Sequence, residues 1–133
     1  MLLEQRVERG GGHSVRRVTR NGEVWFRSTF EIRLEDGAWR SRSESACWRL
    51  QATLPPDELV ALGEAVVASG FFECESEYRP DRAVFYATDE VWSADLGGRQ
   101  HTVAVRGRPI TDVPAVRSVA DALEDALADA AYG

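Results

Sequence analysis

At 133 residues, with 44% hydrophobic and 29% charged residues, the chain has the composition of one globular domain, residues 1–133, and wholesale disorder is disfavoured. A formal net charge of −6 disfavours a nucleic-acid partner, which usually requires a basic excess to neutralise phosphates. All 16 basic residues are arginine and they are unevenly placed: 10 stand against 7 acids in residues 1–54 (+3), and 6 against 15 in residues 55–133 (−9).

Residues 2–9 read as a strand ending at Gly10-Gly11-Gly12. Asn21-Gly22 and Asp36-Gly37 each lie between strand-like runs and suit two-residue type I′ hairpins. Between them Val24, Phe26, Phe30, Ile32 and Leu34 share one face, broken only by Ser28, while Trp25, Arg27 and their neighbours share the other. That alternation predicts a half-buried antiparallel strand. Beyond Asp36-Gly37 two registers are open. Unbulged pairing puts Trp25 beside Val18 and Trp48 on an outer face, flanked by Arg16 and Arg27. A bulge near Glu44-Ser45 instead turns Trp48 and Leu50 to the core.

Leu54-Pro55-Pro56 forbids helix before the second proline, and Pro56 suits the first helical position. Asp57 and Glu58 complement the helix dipole, and Leu59, Leu62, Gly63 and Val66 form an apolar face. Gly70 is expected in the left-handed stop position, with Phe71 stapled against Val66 and Phe72 leading back to the core. Glu73, Glu75 and Glu77 read as a solvated link. Residues 83–95 and Gln100–Arg106 form a further hairpin through Gly97-Gly98, and Asp112 caps a final helix whose stripe is Val116, Val119, Ala120, Leu123, Leu127 and Ala130. The expected fold is therefore α+β: a single antiparallel sheet of about five or six strands with two helices packed on one face.

Catalytic and metal-binding patterns are sparse. His13 and His101 have no HxxxH or HxH partner, and Cys47 and Cys74 form no CxxC pair and read as core thiols. No GxSxG is present, and Gly10–Gly12 lacks the Lys-Ser/Thr of a phosphate-binding loop. Exposed acid pairs such as Glu124-Asp125 solubilise rather than catalyse. A non-enzymatic protein with no cofactor and no metal is expected. The opening MLLEQRVERGGG does not read as a signal peptide, and no run approaches the roughly 18 apolar residues of a membrane span. The expected location is a bacterial-type cytoplasm, with no membrane partner.

From Leu59 to Leu127 the order of features is one of a known kind: a helix ending in Ser69-Gly70-Phe71-Phe72, Tyr78, a strand, a glycine turn into Arg99-Gln100-His101-Thr102-Val103, and a proline-led helix. Arg9-Gly10-Gly11-Gly12 after the first strand adds to the pattern. This resembles emfourin-like proteins, small α+β proteins that include inhibitors of thermolysin-type metalloproteases. Residues 13–54 are a longer, Arg- and Trp-rich set of strands than that family pattern holds. The resemblance implies a protein-binding module that inhibits such a protease by occluding its cleft. The alternative is an accessory or structural subunit docking through its sheet face. Gly10, Gly11, Gly12, Arg16, Val18, Trp25 and Arg27 are the candidate contact residues, since Trp and Arg dominate binding hot spots.

Overall fold

The computed structural model describes residues 2–9, 12–33, 39–42, 48–80 and 88–132, with backbone alone for 30–33, 39–42 and 132. Within the described residues eight strands, β1 (Leu2–Arg9), β2 (Gly12–Val18), β3 (Glu23–Arg33), β4 (Trp39–Arg42), β5 (Arg49–Thr53), β6 (Glu77–Tyr78), β7 (Thr88–Leu96) and β8 (Arg99–Arg106), and two helices, α1 (Pro56–Ala68) and α2 (Pro114–Tyr132), make an α+β fold. The strand order is β4-β3-β2-β1-β7-β8-β6. The fifth strand pairs with Glu23–Phe26 on the same edge of β3 that β4 occupies at Phe30–Arg33.

The sheet is thus wider than the five or six strands expected, and it is mixed rather than wholly antiparallel, because β6 runs parallel to β8. The acidic link is the reason. Glu73, Glu75 and Glu77 are exposed as expected, yet the Ala104 N–H donates to the Ser76 carbonyl at 2.9 Å, which draws Glu77-Tyr78 onto the edge of β8. Arg106 adds a charge-assisted bond to Glu77 at 2.8 Å.

One face of the sheet meets both helices. Leu3, Val18 and Val24 lie opposite one another across β1–β2–β3, Ala94 opposite Leu3, and Trp92 opposite Val103; all are buried. Leu62 and Val66 of α1 and Val116, Val119 and Leu123 of α2 close the same core. The α2 stripe is the expected one, with Ala126 added. Asp112, expected as its cap, lies two residues before Pro114 in a short 3-10 turn, and its carboxylate accepts from Arg108 Nε at 3.2 Å.

The stop of α1 follows the expectation with one addition. Gly70 is left-handed (φ +86°), and its N–H donates to the Val67 carbonyl at 3.4 Å. The Ser69 hydroxyl is inserted into the outer bond of this motif: the Phe71 N–H donates to Ser69 Oγ (3.2 Å), and that hydroxyl donates to the Val66 carbonyl (2.7 Å). Phe71 is fully buried. Phe72 is only half-buried, covered by the Arg99 guanidinium 4.4 Å from its ring centroid, because the chain enters a 3-10 turn instead of heading inward.

Candidate protein-binding face

Alternation along the strands divides the predicted contact residues between the two faces of the sheet. The β2–β3 hairpin does not close on Asn21-Gly22 as a two-residue turn. Thr19 N–H donates to the Glu23 carbonyl (2.8 Å) and Gly22 N–H to the Thr19 carbonyl (3.0 Å), so Arg20, Asn21 and a left-handed Gly22 form a three-residue loop. The pairing slips by one residue. Val18 now faces Val24 in the core, Arg16 faces Phe26 on the helix-side face, and Arg17 takes the place opposite Trp25.

The second correction lies at β5. The register shifts between Val24 and Trp25, which pair with Ala52 and Leu50 respectively and leave Gln51 as the extra residue. Ala52 and Leu54 therefore turn to the core, while Leu50 stays outside, 49% exposed, opposite Trp25. Neither sequence register holds: Trp25 pairs with Leu50 rather than Trp48, and Trp48 and Leu50 are not returned to the core. Asp36-Gly37 and Glu44-Ser45 lie outside the described residues, as do Gly10, Gly11 and Cys47.

The outer face built this way has a defined centre. The guanidinium carbons of Arg17 and Arg27 lie 4.8 and 5.0 Å from the centroid of the Trp48 ring. Such contacts contribute about 0.5–1 kcal/mol each at exposed sites. Arg17 is also held by Glu4, with Nη2–Oε2 at 2.8 Å and Nε–Oε2 at 2.9 Å, and Arg6 approaches the other Glu4 oxygen at 3.5 Å. Val15, opposite Arg27, is buried beneath this layer. Toward β7 and β8 the face turns polar, with Ser93 and Thr102 sharing a 2.9 Å hydroxyl bond and Arg106 between Glu77 and Asp89.

Of the candidate residues, Trp25 and Arg27 belong to this face. Gly12 opens β2 opposite Arg9 and lines a cleft on the helix side with Arg16. Sequence reasoning missed Arg17, and no local signal separates a two-residue loop at Asn21-Gly22 from a three-residue loop at Arg20–Gly22. Both histidines have local partners: His13, in β2 rather than a loop, bonds Thr29 Oγ1, and His101 donates through Nε2 to the Cys74 carbonyl at 2.7 Å. Among the described residues no cluster of three or more His, Cys, Asp or Glu side chains could hold a metal ion. No described helix is long and apolar enough to cross a membrane. No known family model matches the chain, and no curated protein is significantly similar to it.

Proposed function

We propose that this protein is a non-enzymatic protein-binding module whose outer sheet face is its contact surface. The observation that carries this reading is Trp48 held by Arg17 and Arg27, beside Trp25 and a half-exposed Leu50. Tryptophan and arginine are the side chains that dominate interface energetics. Here their rotamers are already restrained, so less conformational entropy is lost on binding.

The resemblance to emfourin-like proteins makes a thermolysin-type metalloprotease the partner to test, inhibited by occlusion of its active-site cleft. An inhibitor of this kind buries roughly 800 Å² on each partner. A titration of such a protease against the purified protein, reading hydrolysis of a small peptide, tests the proposal. Stoichiometric, reversible inhibition that weakens on Trp48→Ala supports it.

A second reading, an accessory or structural subunit, uses the same face. It is favoured by the breadth of a sheet that α1 and α2 cover on one side only. No inhibition at micromolar excess, together with self-association in sedimentation experiments, selects it.

A further inference from the structure

On the opposite face of the sheet, where β1–β3 extend beyond the core, a cleft of ≈ 630 Å³ lies beside Glu124 of α2. That volume is in the range of small-ligand sites. Arg16 is its central cation. Its side chain is 19% exposed, Nη1 donates to Glu124 Oε1 at 2.7 Å, and Nε is fully buried with no hydrogen-bond partner among the described residues. A buried donor left unpaired costs about 1–3 kcal/mol, and more when the group is charged, so an orphan of this kind calls for an explanation.

Among the described residues that line the cleft, the charges are Arg9 and Arg16 against Glu124, two cations to one anion in a chain of net charge −6. Glu90, a neighbouring carboxylate outside the lining, keeps its charge, but its Oε1 is held by two neutral donors, Gln5 Nε2 at 2.7 Å and Trp92 Nε1 at 3.0 Å, and makes no bond to Arg16. Glu124 is a weak partner for Arg16, because its carboxylate is 63% exposed and screened by solvent. Ser14 and Ser28 face each other across the β2–β3 ladder and supply hydroxyls, while Val7 and Phe26 supply apolar wall.

We propose that this cleft binds a small organic carboxylate carried on an apolar group, with Arg16 as its clasp. A carboxylate that draws the guanidinium away from Glu124 takes Nε and Nη2 together, the two parallel bonds that the planar fork is shaped for. The apolar group then rests against Val7 and Phe26. Glu124 is a competing internal anion: its bond to Nη1 holds the guanidinium where Nε is covered, and that bond breaks when a ligand takes Nε and Nη2. The site is separate from the Trp48 face and does not depend on the protein-binding proposal.

The test is an amide-resolved NMR titration of the whole chain with phenylacetate and, separately, with neutral phenylacetamide, at low ionic strength. Expected is saturable binding of phenylacetate at millimolar concentration or below, with shifts centred on Arg16 and Ser28, and no saturation with the amide. Removing the competing charge with Glu124→Gln tightens phenylacetate binding about two- to fivefold, the span of an exposed ion pair. Arg16→Gln weakens it at least about tenfold, since a charge-assisted bidentate pair is lost. The opposite signs of these two variants carry the test, and should Arg16→Gln fail to fold, Glu124→Gln and the amide comparison decide alone. Equal response to the acid and the amide, no saturable binding by either wild type or Glu124→Gln, or a Glu124→Gln affinity that is unchanged or weaker overturns the proposal.

Discussion

Arg17 stands directly opposite Trp25 in the β2–β3 ladder, and it lies on the same face as Trp48, which it covers. This pairing decides which arginines a partner meets: Arg17 and Arg27 on the outer face, Arg16 in the helix-side cleft. Trp25→Ala is expected to weaken partner binding by about 2 kcal/mol, the threshold of a hot spot, while lowering stability by only about 1 kcal/mol. Arg17→Gln acts in the same direction, and Arg16→Gln leaves partner affinity unchanged. Calorimetric binding alongside thermal melts separates the two effects. A collapse of the melting temperature in Trp25→Ala would show the ring to be core and would remove the outer-face proposal.

Ser69 provides the second prediction. Its hydroxyl relays the bond between Phe71 N–H and the Val66 carbonyl, so Ser69→Ala breaks two hydrogen bonds at the end of α1. A cost of about 1 kcal/mol is expected in urea denaturation. Gly70→Val should cost more than about 1 kcal/mol through the left-handed backbone alone, because a β-branched side chain is strained there.

Gly22 and Gly70 share φ +86° but differ in their surroundings. A Cβ on Gly70 meets nothing within 4 Å, whereas one on Gly22 would sit 2.5 Å from the Leu54 carbonyl oxygen. That backbone is fixed by the Leu54 N–H donating to the Gly22 carbonyl at 2.8 Å. Gly22→Ala is therefore expected to destabilise more than Gly70→Ala, by at least about 1 kcal/mol, since both pay the conformational strain and one adds a collision. Equal losses in parallel chemical denaturation would show that the β3–β5 edge yields to accommodate the methyl group.

Tyr78 is expected to contribute to an alkaline loss of stability. Burial pushes its phenol above the ordinary value of 10.0, and its oxygen accepts the Glu75 N–H at 3.0 Å. A folded-state pKa above the unfolded one gives stability that is complete below pH 10 and is lost as pH rises through the folded value, where only the unfolded chain ionises freely. Thermal melts between pH 8 and 11.5 are expected to show a steeper alkaline decline for wild type than for Tyr78→Phe. Parallel declines would place the cause elsewhere.

Much of the local structure was legible because its causes are local. Pro56 starts α1, Gly70 stops it, Gly97-Gly98 turns β7 into β8, and the α2 stripe buries Val116, Val119 and Leu123. The parallel strand at Glu77-Tyr78 was not legible, since two residues in an acidic stretch carry no strand pattern and gain one only from the edge of β8.

The α+β class, the positions of the helices and the alternation of Val24 and Phe26 with Trp25 and Arg27 in β3 can be read along the chain, because proline geometry, left-handed glycine and side-chain periodicity act within a few residues of their cause. Which side chains share a face depends instead on long-range packing. Strand side chains repeat every two residues, so one extra residue in the Arg20–Gly22 loop exchanged Arg16 for Arg17, and one at Gln51 left Leu50 outside while Ala52 turned inward. Those registers are set by loop closure and by the burial of Val18, Val24 and Leu54 against the helices, which no short stretch of the chain records.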